Sequence, residues 1–179
     1  MLASSKQTNR NIYEAKTPSR GTRRPIHSAS REEREAWIRA KYEKKEFLAD
    51  LPSSEMSVAE QLMNCVGQEE VEMKDFLLLM AHATSDDINY QHKDKSGRAV
   101  LHVACVRGHA SVVQILLWNG ADLDIEDEEN RTPLTYARYG GHADCAEILL
   151  HNGCRDNSFE QTEHALDFNR SQILQASVI

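Results

Sequence analysis

The sequence predicts an all-α fold: a solenoid of about three helical repeats, the first divergent, preceded by one long helix and a disordered N-terminal arm. Two observations favour the solenoid. Positions 97–121 recur at 130–154, a spacing of 33 residues, and each copy holds two short apolar stripes with helical i, i+3/i+4 spacing. The matching pairs are Leu101 and Leu134, Ala104 and Ala137, Gly108 and Gly141, His109 and His142, Leu116 and Leu149, Leu117 and Leu150, and Gly120 and Gly153.

Each copy follows the same local rules. In the first copy, the small Ala104 favours close approach of a neighbouring helix, and Gly108 ends its own helix because glycine tolerates positive φ. In the second copy, Thr132 can cap the helix N-terminus, and Pro133 lies in the first turn, where its missing N–H costs least. The second helix of the first copy is predicted to bury Val112, Val113, Leu116 and Leu117.

Two copies need a cap, because a repeat buries its apolar faces only against its neighbours. Ser57 and Glu60 have the spacing of a capping box at a helix start. The stripes that follow predict a helix pair, slightly out of register with the 33-residue period, that covers the first copy. Its apolar residues are Ala59, Leu62, Met63 and Val66, then Phe76, Leu79, Met80 and Ala83.

The period, together with the patterns Leu-His-x-Ala, Gly-His and Leu-Leu-x-x-Gly-Ala, resembles the ankyrin repeat, a turn followed by two antiparallel helices. The resemblance implies ankyrin repeats over 56–155, with a divergent cap at 56–93, repeats at 94–126 and 127–155, and a C-terminal tail at 156–179. It also implies a protein-binding module without chemistry of its own. His102, His109 and His142 would then hydrogen-bond the turns rather than bind metal or transfer protons.

A separate helix is predicted from Arg31 to Leu51, within a segment of residues 30–52. Ser30 and Glu33 form a second capping box, the acidic first turn suits the helix dipole, and Pro52 ends the helix. We expect this helix to dock on the capping helix pair through its apolar side chains, which are Trp37, Ile38, Tyr42, Phe47 and Leu48. Residues 1–29 are expected to form the disordered arm, since Arg20, Arg23 and Arg24 lie in a basic stretch rich in Gly, Pro and Ser.

The segment from Ser30 to Pro52 is similar to the closing helix of an Arf GTPase-activating (ArfGAP) domain, and its string from Arg31 to Tyr42 is specific. Followed by a short linker and ankyrin repeats, it resembles the centaurin-gamma group. Members of that group join GTPase-like, PH, ArfGAP and ankyrin domains. The resemblance is continuous from about Ile12 to Cys154.

The parts of that family that carry its chemistry have no match here. Family members depend on a zinc finger of two Cys-x-x-Cys pairs and on an arginine that reaches the GTPase. No two cysteines of this chain lie within four residues of each other, as they stand at Cys65, Cys105, Cys145 and Cys154. The chain is therefore predicted to be non-enzymatic and to need no cofactor. The alternative is a fragment of a longer parent, a zinc-dependent activator of Arf-type GTPases in membrane traffic.

Charge and composition point to a soluble interaction protein. The chain has 21 Lys and Arg against 28 Asp and Glu, a net charge of −7, and residues 1–30 hold six of the basic residues and only one acidic residue. A basic arm could favour an anionic membrane or nucleic acid, but a solvated tail is the favoured interpretation. No apolar run approaches the length of a membrane span and no signal peptide is evident, which predicts a reducing, cytoplasmic location.

Protein partners are expected at the turn tips and the adjoining helix starts, which form the recognition surface of ankyrin modules generally. Tyr139 is the best single candidate, because an exposed aromatic residue contributes most at an interface. The mixed signs of the tip residues predict a polar, selective surface. The full set is Lys95, Ser96, Arg98, Val106, Glu128, Glu129, Arg131 and Tyr139.

The last three residues offer a second binding motif. Ser177, Val178 and Ile179 form a Ser-x-aliphatic terminus, which suits the groove of a PDZ domain. In that groove the peptide adds a strand to a sheet, and backbone N–H groups hold its carboxylate. A PDZ protein is thus a possible partner, alongside the chance occurrence of such an ending.

Overall fold

A computed structural model describes residues 2–16, 24–93 and 96–155 of the chain. They belong to two compact units, Met1–Ser54 and Glu55–Ile179. The elements are helical, and within the described ranges the one isolated β-bridge joins His92 to Arg98. The all-α prediction is confirmed.

The N-terminal unit contains α1 (Leu2–Tyr13) and α2 (Arg31–Ile38), and α2 continues into a π-helical turn at Arg39–Glu43. The predicted capping box starts α2. Glu33 N–H donates to Ser30 Oγ at 3.2 Å, and Ser30 N–H donates to the Glu33 carboxylate at 2.8 Å. Both donors would otherwise be left without a partner inside the helix.

The helix ends at Glu43, so the predicted end at Leu51 is wrong. Lys45 has a φ of 52° and reverses the chain direction. The reversal lets Phe47 stack on Trp37, with ring centroids 5.0 Å apart. A continuous helix would keep these two rings ten residues apart along its axis, so their contact favours the earlier end.

The predicted disorder of residues 1–29 is also wrong for the part that forms α1. Ile12 is only 3% exposed, and its carbonyl accepts a hydrogen bond from Ala49 N–H at 2.7 Å. Lys41 Nζ lies 2.7 Å from the Glu14 carboxylate, and both side chains are largely buried. Composition favoured disorder because these partners lie more than 25 residues away in sequence.

The apolar side chains around α2 therefore have partners within their own unit. Trp37, Phe47 and Leu48 are buried, and Trp37 and Phe47 form a cluster with Ala40. Ile38 and Tyr42 remain 53% and 45% exposed. The expected docking on the capping pair rested on the assumption that all five side chains lacked partners. That assumption fails for Trp37 and Phe47, which stack on each other, and for Tyr42, whose ring centroid lies 5.4 Å from that of Tyr13.

The second unit is a series of helix pairs. Helix α6 packs against both α3 and α8, and α7 packs against α9, so the first helices of successive pairs form one row and the second helices another. The helices are α3 (Val58–Val66), α4 (Met73–His82), α5 (Ser85–Ile88), α6 (Val100–Arg107), α7 (Ala110–Trp118), α8 (Pro133–Gly140) and α9 (Ala143–His151).

The core lies between these rows, largely where the stripes place it. Helix α6 is buried from Val100 to Val106 because it has a neighbour on each side. Of the α7 stripe, Leu117 is only half-buried. In the capping pair, Ala83 is half-buried and the other seven stripe residues are buried.

His109 and His142 each connect their own helix pair to the preceding one. His142 Nε2 lies 3.0 Å from the carbonyl oxygen of Val106, and His109 Nε2 lies 3.0 Å from that of Gln68. The first separation is 36 residues and the second is 41. Most of this difference lies in the segment between the second helix of one pair and the first helix of the next, which spans residues 83–99 before α6 but only residues 119–132 before α8.

Gly108 and Gly141 offer a matched pair of substitutions. Gly108 ends α6 and Gly141 ends α8, with nearly the same φ of 75° and 74°. An added Cβ at Gly108 would lie 2.4 Å from His142 Nδ1, whereas an added Cβ at Gly141 would meet nothing within 4 Å. Gly141→Ala should lower the free energy of unfolding by about 1 kcal/mol through backbone strain alone. Gly108→Ala should cost roughly 1 to 3 kcal/mol more, because His142 must move.

Urea denaturation of the two variants and the parent chain measures this difference. Equal losses would show that the His142 contact does not hold the helix pairs together.

Candidate functional site

Two connections between helix pairs lie side by side. We call residues 89–93 and 96–99 the first loop and residues 119–132 the second loop. Glu128 N–H of the second loop donates to the Ser96 carbonyl of the first at 3.1 Å. Gln91 Nε2 donates to the carbonyls of Gly97 and Glu126 at 2.9 and 2.6 Å. The two loop tips are therefore one hydrogen-bonded structure.

The second loop is built around the buried carboxylate of Asp127, whose side chain is 0% exposed. Its Oδ1 accepts hydrogen bonds from Glu129 N–H at 3.0 Å and Arg131 N–H at 2.9 Å. Its Oδ2 accepts from Arg131 Nε at 2.8 Å and from the Tyr136 hydroxyl at 2.6 Å. A buried charge is costly unless it is paired and hydrogen-bonded, and Asp127 is both.

His102 links this loop to the preceding helix pair. Its Nδ1 accepts from Ala99 N–H at 3.0 Å, and its Nε2 lies 3.0 Å from the Arg131 carbonyl oxygen. The imidazole therefore carries its proton on Nε2. Burial lowers the pKa of His102 to about 4, with a smaller contribution in the same direction from Arg98. A buried neutral histidine that serves as both acceptor and donor is a structural element.

Three of the predicted partner-binding residues come together. Ser96, Glu128 and Glu129 lie at the two joined tips, and Glu128 and Glu129 are exposed. With Asn130, also exposed and at a φ of 56°, they form what we call the tip surface. Lys95 lies outside the described residues, as do Ser177, Val178 and Ile179.

Three other predicted residues are not on a free surface. Arg98 is 5% exposed and Val106 is 2% exposed, because α6 is covered on both sides. The Arg131 side chain is 13% exposed and pairs with Asp127 and Glu129. Burial leaves little of these three side chains accessible to a partner, and their role in docking stays a prediction.

Tyr139 lies on α8, apart from the tip surface, and is half-buried. It is the counterpart of the buried Val106, one period later in the sequence.

The second loop has an uneven distribution of charge between its interior and its surface. Arg98 and Arg131 are largely buried, whereas every acidic residue of the second loop except Asp127 is exposed. Within the described part of the chain, the second loop thus presents mainly negative charge to solvent. Its exposed acidic residues are Asp122, Asp124, Glu126, Glu128 and Glu129.

Asp127 and Tyr136 were not among the residues predicted from the sequence. A signal for Tyr136 existed, because its counterpart one period earlier is Val103, an aliphatic residue without a hydroxyl. A buried tyrosine hydroxyl needs a hydrogen-bond partner. Asp127, nine residues before Tyr136, was one of several acidic residues that could have supplied it.

The cysteines do not fit a zinc finger. Cys105 and Cys145 are buried in helices, and burial raises the pKa of both thiols. Zinc binds the thiolate, so this environment opposes metal binding. Among the described residues, no group of three or more His, Cys, Asp or Glu is arranged to hold a metal ion.

Comparison with known proteins gives a family for the repeats. The sequence profile of the family described as "Ankyrin repeats (3 copies)" matches residues 62–160, more than half of the chain. None of the described helices is both long and apolar enough to span a membrane.

Three curated relatives share parts of the chain. The mouse serine/threonine-protein kinase TNNI3K is 34% identical over 34% of this chain and 7% of its own length. The human Arf-GAP with coiled-coil, ANK repeat and PH domain-containing protein 3 is 49% identical over 23% of this chain and 5% of its own length. The mouse BCL-6 corepressor-like protein 1 is 36% identical over 31% of this chain and 3% of its own length. The chain thus matches less than a tenth of each relative.

The buried imidazole predicts a pH dependence of stability. Because the folded pKa of His102 is about 4, below its ordinary value of 6.5, the unfolded state binds more protons between these two values. The contribution of His102 to the free energy of unfolding is roughly 3 kcal/mol. It is fully present above pH 6.5 and is lost as the pH falls toward 4.

Urea denaturation at pH 7 and pH 4.5, for the parent chain and for His102→Gln, tests this expectation. Gln cannot titrate, so its loss between the two pH values should be smaller. The same pH dependence in both proteins would assign the effect to other groups.

Proposed function

Because this chain belongs to the ankyrin repeat family, we propose that it is a protein-protein interaction module that binds its partner at the tip surface. The observation that carries this proposal is the junction of the two loops. Glu128 N–H donates to the Ser96 carbonyl, so residues from two repeats present one surface. A rigid scaffold that carries polar loop residues is a common arrangement for recognition.

Preorganisation supports binding at this surface. Ordering a flexible loop on binding costs free energy, and a loop that is already fixed avoids most of that cost. Asp127 holds the backbone of Glu129 and Arg131 in place. The exposed Glu128 and Glu129 side chains then favour a partner with basic groups at the contact. The repeats need no catalytic group or cofactor for this role.

A second candidate is that the chain is part of a longer GTPase activator for Arf-type GTPases. Two observations favour it: the likeness of residues 30–52 to an ArfGAP closing helix, and the 49% identity over 41 residues with a human Arf-GAP protein. Zinc and the GTPase would then belong to the longer parent, of the centaurin-gamma type. A transcript with an in-frame four-cysteine finger upstream of residue 1 would support this candidate.

Two narrower features remain proposals. A cytoplasmic location fits the four free cysteines. A PDZ protein that recognises residues 177–179 would give the chain a second partner. Removal of Ile179 would abolish that second interaction and leave binding at the tip surface unchanged.

Charge reversal at the tip tests the main proposal. Glu128→Lys changes an exposed side chain, while its backbone bond to Ser96 is kept. Glu147→Lys makes the same change on an exposed position of α9 and is the control. For a protein captured by the parent chain, we expect the Kd to rise about tenfold with Glu128→Lys, as at an interface hot spot, and to stay the same with Glu147→Lys.

The measurement is titration of the purified partner against the three proteins. An equal effect of both substitutions would indicate general electrostatic attraction. A partner that binds Glu128→Lys as well as it binds the parent would place the binding surface elsewhere.

A further inference from the structure

Tyr136 is a buried residue whose hydroxyl contacts the base of the second loop. Its side chain lies on α8 and is 1% exposed. The hydroxyl donates to Asp127 Oδ2 at 2.6 Å. Burial and the neighbouring Asp127 carboxylate raise the pKa of Tyr136, so the hydroxyl stays protonated and remains a donor at neutral pH.

Asp127 transmits this contact to the loop tip. Its other oxygen accepts the N–H groups of Glu129 and Arg131, and its carbonyl accepts Asn130 N–H at 3.0 Å. Asn130 has a φ of 56°, a conformation that a residue with a side chain adopts at a cost unless its surroundings hold it. The orientation of one carboxylate therefore sets the backbone of residues 129–131.

The hydroxyl is particular to this repeat. Val103 occupies the equivalent position one period earlier, and it cannot donate a hydrogen bond. Tyr136 also packs its ring edge-on against His102, with centroids 5.3 Å apart, and lies under the Arg131 guanidinium at the same distance. The ring alone satisfies these packing contacts, so the hydroxyl has a separate effect on Asp127.

We infer that Tyr136 is a positioning residue, whose hydroxyl fixes the tip surface from inside the helical core. Its meaning for recognition rests on the proposed function, because the tip surface is the docking site named there. The fixed tip would present Glu128 and Glu129 in one geometry, which favours a partner with basic groups at a matching spacing.

The test is hydrogen exchange by NMR on the full chain, with the parent, Tyr136→Phe and Tyr139→Phe compared. Tyr136→Phe keeps the ring and removes the hydroxyl, and Tyr139→Phe makes the same change elsewhere on α8. We expect the amides of Glu129 and Arg131 to exchange about tenfold faster in Tyr136→Phe, with little change in the amides of α6. Tyr139→Phe should leave the tip amides unchanged.

A double substitution separates positioning from a general packing role. Asp127→Ala removes the acceptor of the Tyr136 hydroxyl, so adding Tyr136→Phe to Asp127→Ala should not accelerate tip exchange further. Additive effects would overturn the inference. So would unchanged tip exchange in Tyr136→Phe, or equal acceleration at the tip and throughout α6.

If Tyr136→Phe does not fold, the hydroxyl proton of Tyr136 in the parent chain carries the test: its donation to Asp127 should protect it from exchange, and a hydroxyl proton that exchanges too fast to be observed by NMR would overturn the inference. No partner is needed for these measurements. Absence of any partner would therefore refute the proposed function and leave the positioning role of Tyr136 intact. Unchanged tip exchange would refute the positioning role and leave the proposed function intact.

Discussion

The packing of α6 between α3 and α8 is the constraint on which the repeat unit depends. A helix covered on both sides buries its apolar residues, but its polar groups then lose access to water. Neighbouring helix pairs must supply their partners. His102 and His142 do so, each with one ring nitrogen at a backbone carbonyl of another repeat. Stacking and hydrogen bonding are therefore two consequences of the same burial.

The second loop is held in place by contacts with the packed helix pairs. Arg131 belongs to the second loop, yet its carbonyl lies beside His102 and its guanidinium beside the buried Asp127. With its basic groups held inside, the loop leaves carboxylates at the surface. The negative surface charge that a partner would contact therefore results from the pairing of Arg131 with the buried Asp127.

Features set by local rules could be predicted from the sequence, and features set by distant contacts could not. The period, the buried stripes, Ser30 and Ser57 as caps and Thr132 as an N-cap depend on a few neighbouring residues, and the structure contains them. The end of α2 depends on the contact of Phe47 with Trp37, and the order of α1 depends on Ile12 and Ala49. At the site, Arg98 and Arg131 look like surface charges in the sequence, but both are largely buried in the fold.

The two loops should form one fixed surface. A scalar coupling across the hydrogen bond from Glu128 N–H to the Ser96 carbonyl, measured by NMR on the isotope-labelled chain, reports on this junction. We expect a detectable coupling and a Glu128 amide protected from exchange, because the two tips are 3.1 Å apart at these atoms. A missing coupling with an unprotected amide would instead show two independent loops.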